Sequence, residues 1–335
     1  MSTPTLLDVA RRAGVSKGTA SKALNDVPGV SAATRARVVA AAEELGWTPS
    51  YAARALSRSS TGVVGLALAR TPEVVGADSF FMAMVAGIEA ELAATDHGLL
   101  MQLVPDAGAE AELLGRWAAE RRVDGVVLLD PRRDDPRLAV LEATGMPGVT
   151  MSCEVLSPQL STLLADEEGR MQVMLDHLLA AAVPHRHLVY LGGPAEFLHV
   201  EHRARRFRAA CAEQGIGGTV LHSDYLQADV ARWAHRLLAL RASTGARAVL
   251  VDNELLAAQL LVELARTEVR VPEDLAILAF ENSILCTVTS PPLTALHRNI
   301  PWAGRELAQM LLRRIDGPAE VVPSEIGMLR RRGSG

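Results

Sequence analysis

The sequence predicts an N-terminal all-α helix-turn-helix head followed by an α/β body of two doubly wound parallel-sheet subdomains. Three observations predict it. The first 46 residues hold three short amphipathic stretches, with a glycine break after the first. From Val63 onward, near-continuous apolar segments alternate with amphipathic ones, the pattern of parallel strands covered by helices on both faces. The charge is also divided. Residues 1–60 carry eight Lys/Arg against four Asp/Glu, whereas the remaining 275 carry 26 against 35, within a net charge of −5. A basic head on an acidic body suits a head that meets a polyanion while the body stays off it. The only two lysines of the chain, Lys17 and Lys22, both lie in that head.

At 335 residues, with 49% apolar and 22% charged residues, the chain has length for more than one domain and the balance of an ordinary globular protein. Its longest apolar stretches, such as Val63–Ala69, fall far short of the roughly 20 residues that span a bilayer. The start, Met1 to Gly14, carries Asp8, Arg11 and Arg12 in an amphipathic pattern, so no signal peptide is expected and the expected location is cytoplasmic. Cys153, Cys211 and Cys286 lie far apart and form neither a disulfide framework nor a paired metal motif.

In the head, Leu6, Val9, Ala10 and Ala13 recur at helical spacing. Gly14–Val15 breaks that helix, and Ser16 can cap a second one from Lys17 to Leu24. Pro28 and Gly29 make a loop. Ser31 can cap a third helix, Ala32 to Leu45, with Val38, Val39, Ala42 and Leu45 inward. In a helix-turn-helix, the second helix presents its N-terminal side chains to base edges in the major groove. Ala20, Ala23 and Leu24 suit the head's core. Lys17, Gly18 and Lys22 then face bases, and Ser16, Thr19 and Ser21 face phosphates. A plain three-helix module with a solvated polar face is the blander alternative.

The run Thr5-Leu6-Leu7-Asp8-Val9-Ala10, then Ala13-Gly14-Val15-Ser16, Thr19-Ala20-Ser21-Lys22-Ala23-Leu24-Asn25, Val30-Ser31 and Thr34-Arg35 strongly resembles the head of the lactose-repressor (LacI/GalR) family. Ala41-Ala42-Glu43-Glu44-Leu45-Gly46-Trp47-Thr48-Pro49 extends the resemblance. It implies DNA contacts from Ser16, Lys17, Gly18, Thr19, Ser21, Lys22, Asn25, Ser31 and Thr34. The family's usual arginine at position 22 is here Lys22, which lacks the planar guanidinium fork, so the preferred base step can differ. Ser50 to Arg58 is a helix-capable run too short to hold alone in water. The resemblance makes it a hinge helix that forms when two copies pair in the minor groove, with Ala53 at the DNA and Leu56 wedged between base pairs.

Along the body, the pattern places strands at Val63–Ala69, Leu99–Val104, Val123–Asp130, Val149–Cys153, His187–Gly192, Thr219–Ser223, Ala248–Val251 and Leu275–Phe280. Helical segments lie between them. Two such sets put ligands at the strand carboxyl ends, in the crevice between two sheets. Asp78-Ser79-Phe80-Phe81, Leu164-Ala165-Asp166-Glu167, Gly192-Gly193-Pro194, Val251-Asp252-Asn253-Glu254 and Ser290-Pro291-Pro292-Leu293-Thr294 resemble the same family's effector domain. That resemblance implies a periplasmic-binding-protein-like body whose chain crosses between subdomains three times. The expected division is a head at 1–49, a hinge at 50–61 and a body at 62–335. Within the body, the first subdomain takes about 62–160 and 293–320, and the second about 161–292 and 321–335. No heptad segment is seen near the end, so a homodimer is expected.

The resemblance implies that Arg203 clamps the effector, Tyr225 offers an aromatic platform, Phe80 lines the first subdomain, and Asn253 and Glu281 grip the ligand. There are departures. Glu281 stands where the family usually has aspartate, Glu254 likewise, Ser152 where many sugar-responsive members place an acid, and Arg206 at a usual glycine. These reshape the pocket, so the ordinary monosaccharide is not the automatic ligand. Arg203 also lies in Arg203-Ala204-Arg205-Arg206, a run that elsewhere is often a solvated helix face.

No catalytic constellation is found, and no cofactor or metal is expected. Gly215-Ile216-Gly217-Gly218 precedes a strand and is no phosphate loop. His199 and His202 are three apart on a helix with no third ligand in frame, which reads as a solvated or interface pair. There is no Gly-x-Ser-x-Gly elbow. The expectation is a transcriptional repressor of carbohydrate-utilisation genes. It would bind palindromic double-stranded operator DNA, under a sugar or sugar derivative held between the subdomains, with no membrane partner. A purine-like or other non-sugar corepressor is the alternative. A solute-binding transport protein and a sugar-modifying enzyme are the rivals from other classes.

Overall fold

The computed structural model describes residues 4–25, 27–48, 60–180, 185–225 and 230–335. The expected hinge helix, with Ala53 and Leu56, lies outside the described residues. The chain divides into two units, Met1–Val63 with Arg121–Asp124, and Val64–Glu120 with Gly125–Gly335.

The first unit holds α1 (Leu6–Ala13), α2 (Lys17–Leu24) and α3 (Ala32–Glu44). Gly14 ends α1 in the left-handed region at φ 65°, where a residue without Cβ is least strained. Ser16 and Ser31 cap α2 and α3, each accepting from the amide three residues on, Thr19 and Thr34. Val9, Ala10, Ala20, Ala23, Val38 and Ala42 form the small core. Val39, expected inward, is 40% exposed. On α3 the buried stripe runs Val38, Ala41, Ala42, and Val39 sits about 100° away from Val38 on the next residue of the turn.

In the second unit, the first sheet comprises β1 (Val63–Ala69), β2 (Gly98–Val104), β3 (Gly125–Leu128), β4 (Gly148–Ser152), β5 (Ser161–Leu164) and β11 (Val321–Pro323), in the order β11-β5-β4-β3-β1-β2. The second comprises β6 (His187–Gly192), β7 (Gly217–His222), β8 (Ala248–Val251), β9 (Ala276–Ala279), β10 (Thr294–His297) and β12 (Met328–Arg330), in the order β12-β10-β9-β8-β6-β7. The pairings within β6–β10 are parallel, as are β1·β3, β3·β4, β4·β5 and β5·β11. β12 joins antiparallel, to β10. Apolar runs in the second sheet are continuous because both faces are buried. Val189 and Leu191 pack into one core, Leu188 and Tyr190 into the other.

The chain crosses between the sheets at 165–166, 298–299 and 324–327, three times as expected, but the boundaries need correction. Ser161–Leu164 pairs with β4 and β11 in the first sheet, Thr294–His297 pairs with β9 in the second, and Val321–Pro323 belongs to the first. The short β5 escaped the sequence reading because Ser161 and Thr162, both fully buried, break its apolar run. The helix Pro72–Ala77 (α4), headed by Pro72, also went unpredicted.

The helices α5 (Ser79–Ala94) and α13 (Ile300–Asp316) pack on the first sheet and cross at two glycines. A Cβ on Gly304 would lie 2.4 Å from the Met84 carbonyl oxygen, and one on Gly87 2.2 Å from that of Pro301. Because backbone is the obstacle, no rotamer relieves the clash. Gly304→Val is expected to cost about 1–3 kcal/mol or more by overpacking. A urea-unfolding midpoint unchanged from the parent would show that the helices do not meet at this distance.

Candidate functional site

The second unit carries a cleft of about 730 Å³, open mouth included, between the carboxyl ends of the two sheets. Its walls follow from the strand order. Arg70 lies just past β1, Asp130 past β3, Ser152 and Cys153 at the end of β4, and Glu167 past β5. From the second sheet come Tyr225 past β7, Asp252 and Asn253 past β8, Glu281 past β9 and Arg298 past β10. Asp78 and Phe80 enter from the start of α5.

Arg203, on α9 (Leu198–Glu213), is 3% exposed and is the centre of the polar network. Its Nε donates to Glu167 at 2.6 Å and its Nη1 to Asp252 at 2.7 Å, while its plane lies 4.4 Å from the Phe280 ring centre. Asp252 also accepts from the Tyr190 hydroxyl at 2.7 Å, the Tyr225 hydroxyl at 2.6 Å and the Gly193 amide at 3.0 Å. Burial alone would raise the Asp252 carboxyl, but Arg203, His199 and the two tyrosine hydroxyls hold it below its ordinary range. Burial likewise opposes the charge of Glu167, yet Arg203 and Arg170 hold it well below the usual value. The Gly192-Gly193 pair has a steric reason, since a Cβ on Gly193 would fall 2.0 Å from the Tyr225 hydroxyl.

Two further ion pairs line the cleft. Arg70 meets Asp130 at 2.5 Å, and Arg298 meets Glu281. Among the described residues, all three guanidiniums in the wall are thus matched by carboxylates, and Asp78 adds a fifth lining acid. An anionic ligand has to compete with these acids for its cations. A neutral ligand rich in hydroxyls finds carboxylate acceptors and donors already oriented, without any charge to displace.

The lips of the cleft touch. The Leu198 amide donates to the Pro131 carbonyl at 3.0 Å, Phe197 lies under Arg70 with 4.1 Å from ring centre to guanidinium carbon, and Arg133 pairs with Glu201. Deeper in, the Ser79 hydroxyl donates to Glu254 at 2.5 Å, joining the start of α5 to the start of α11 (Glu254–Leu264).

All five residues expected at the effector, Phe80, Arg203, Tyr225, Asn253 and Glu281, line this cleft. Asn253 spends its side-chain oxygen on the Leu256 amide at 2.9 Å as the cap of α11, which leaves its amino group for a ligand. In the head, Lys17, Gly18 and Lys22 are exposed while Ala20 and Ala23 are buried, the arrangement the alternation predicts. Asn25 is turned back on α2, its Nδ2 donating to the Ser21 carbonyl at 3.0 Å.

Residues 5–50 match the description "Bacterial regulatory proteins, lacI family", and residues 175–334 match "Periplasmic binding protein-like domain". The HTH-type transcriptional regulator CelR of Thermobifida fusca is 32% identical, over 98% of each chain. The chain belongs to the LacI family. The HTH-type transcriptional repressor PurR of Aliivibrio fischeri (strain MJ11) is 27% identical, over 93% of this chain and 91% of that one. A solved structure described as "transcriptional regulator CelR-cellobiose complex" is 28% identical, with a TM-score of 0.72, over 99% of this chain and 100% of that one.

In this LacI-family regulator, the body is of the periplasmic-binding-protein-like kind that the resemblance implied. Several cleft residues escaped the sequence reading. Asp252 and Glu167 stood inside quoted motifs, but nothing in their spacing shows that they converge on Arg203. His199 and His202 need correction. His199 lines the cleft 4.0 Å from Asp252 and stacks on Phe197, and His202, 8% exposed, sits 3.2 Å from Glu154. They do not act as a pair: His199 is part-exposed in the cleft and His202 is buried beside Glu154, each ring with a different neighbour. Arg205 and Arg206 do form the surface run, paired with Glu168 and Glu213.

Proposed function

We propose that this LacI-family regulator acts in the cytoplasm as a homodimeric repressor of carbohydrate-utilisation genes and is released from a palindromic operator when a neutral sugar fills the cleft. The observation that carries the sugar reading is the matching of Arg70, Arg203 and Arg298 with carboxylates, together with the likeness to a regulator solved with cellobiose. The head would reach bases with Lys17, Gly18 and Lys22 and phosphates with Ser16, Thr19, Ser21, Asn25, Ser31 and Thr34. Ala53 and Leu56 would enter the minor groove. Two copies related by a twofold axis match the two halves of a palindrome. A ligand that binds one arrangement of the lips better than the other shifts the equilibrium between them, and with it the affinity for DNA.

A purine-like corepressor is the second reading, favoured by the likeness to PurR. One thermal-shift panel separates the two. Cellobiose, maltose, glucose, glucose 6-phosphate, hypoxanthine and guanine are each added to purified protein. A ligand at 100 times its Kd adds about 2.7 kcal/mol to the folded state. Stabilisation by a neutral sugar supports the proposal. Stabilisation by a nucleobase alone replaces it with the corepressor, and stabilisation by the phosphate ester alone contradicts the charge argument.

The cleft also predicts a pH dependence. Asp78 is pushed up to about 6, chiefly by burial, with the charges of Glu254 and Asp130 adding and the Phe80 amide and Arg70 opposing. In the folded chain it therefore keeps its proton to higher pH than in the unfolded one. Its ionisation costs stability as pH rises from about 4, the ordinary aspartate value, towards that raised value. A sugar hydroxyl donating to Asp78 favours the ionised form, so effector affinity is expected to rise with pH through about 6. Calorimetric titrations at pH 5, 6 and 7 check this. A flat profile in the parent, or a profile unaltered in Asp78→Asn, would show that the ligand does not touch this carboxyl.

A further inference from the structure

Arg298 stands on the second crossing of the chain, between His297 at the end of β10 and Asn299, the cap of α13. Its side chain is 4% exposed, lines the cleft and pairs with Glu281, with its guanidinium 5.8 Å from the Phe80 ring centre. Its Nε is buried and has no hydrogen-bond partner among the described residues. A buried N–H without an acceptor is unfavourable, and native structures leave few of them unsatisfied. This one belongs to the wall of a ligand cleft.

We propose that Arg298 is an effector-contacting residue that donates its Nε–H to an uncharged oxygen of the ligand, a hydroxyl or an acetal oxygen, and that through it the ligand acts on the crossings between the subdomains. The assignment rests on the sugar reading above and deepens it. Glu281 already takes one Nη of the guanidinium, so directional donation from Nε is what Arg298 has left to offer a ligand, and a neutral oxygen can accept it.

The three crossings are tied to one another. The amide of Asn299, next in the chain, donates to the Glu325 carboxylate on the third crossing at 2.6 Å. Arg170, 1% exposed, donates to the Ser324 hydroxyl at 3.2 Å and to the carbonyls of Glu325 at 2.7 Å and Ile326 at 3.2 Å. It also pairs with Glu167, beside the first crossing. One polar network therefore ties the three crossings together and reaches the cleft at Glu167, and Arg298, also in the cleft, joins it through the backbone of its neighbour Asn299. A ligand oxygen on Arg298 pulls on the segment about which the subdomains turn.

The test uses the full-length protein with Arg298→Lys and Arg298→Gln. Cellobiose, maltose and glucose are titrated calorimetrically, and release of a fluorescent operator selected by the parent from a random pool is followed by anisotropy. For each sugar that binds the parent, both variants are expected to lose tenfold or more in affinity, and the sugar-dependent change in operator affinity is expected to shrink. Lysine keeps a cation for Glu281 but has no N–H at the Nε position, so Arg298→Lys decides the matter even if the glutamine variant does not fold. A lysine variant with a cooperative melt and the parent's sugar affinity overturns the assignment and leaves the sugar reading standing. A parent that binds none of the three sugars overturns both.

Discussion

Replacing Arg203 with alanine is expected to destabilise the folded chain by about 3–5 kcal/mol, because it strands the buried Asp252 carboxylate and takes one of two guanidiniums from the buried Glu167. Glu167 and Asp252 are 3% and 2% exposed. Asp252 receives its guanidinium bond from Arg203, and Glu167 receives one from Arg203 and a second from Arg170. The effect has a pH signature of definite sign. In the parent, both acids are held below their ordinary values, so their contribution is present above about pH 4 and is lost as pH falls through the lower folded values. Without Arg203, burial raises Asp252 most and Glu167 less, since Arg170 still pairs with the latter, so Asp252 can shed its charge by taking up a proton. The gap in stability between parent and variant should therefore widen from about pH 4 to neutrality. Adding Asp252→Asn to the alanine variant should recover part of the loss. Urea unfolding at pH 4.5 and 7.5 measures this, and equal gaps at the two values would sink the idea that Arg203 neutralises buried charge.

The second large effect is expected in the head. Lys17 and Lys22 are exposed on α2, whose other side, Ala20 and Ala23, is buried in the head's core. If each donates to a base edge, alanine at either position costs about 1–3 kcal/mol on the selected operator. The double variant should approach the loss of all sequence preference. A purely electrostatic role predicts a different outcome, in which specific and random DNA weaken equally and the salt slope falls by about one per lysine removed. Anisotropy titrations on operator and on scrambled duplex at two salt concentrations separate the cases.

The residues that repeat at a fixed period were the legible ones. α1 and α2 have the bounds the apolar spacing predicts, as do β1, β6 and β8, because each buries a regular stripe or both faces of a strand. What spacing could not show is which separated residues meet. Phe80, Arg203, Tyr225, Asn253 and Glu281 reached the candidate site through motif resemblance and strand-end logic, and the fold does bring them into one cleft. Asp252 sits beside Asn253 in sequence, yet its role depends on Tyr190, Gly193, Arg203 and Tyr225, which arrive from three other segments. Arg298 was hidden for a similar reason. It follows a four-residue strand that the sequence reading did not separate from the loop before it. The crossings are hard to place from sequence because β5, β10 and β11 are three or four residues long, and β11 takes its sheet from β5, far back in the chain.

The most direct test of the central claim is the affinity of the full-length protein for its selected palindrome, measured by anisotropy with and without saturating cellobiose. Tight, sequence-dependent binding by a dimer is expected, weakened tenfold or more by the sugar, with that response lost in Arg203→Ala. Operator affinity unchanged by cellobiose, in protein shown by calorimetry to have bound it, would contradict the coupling of cleft to DNA.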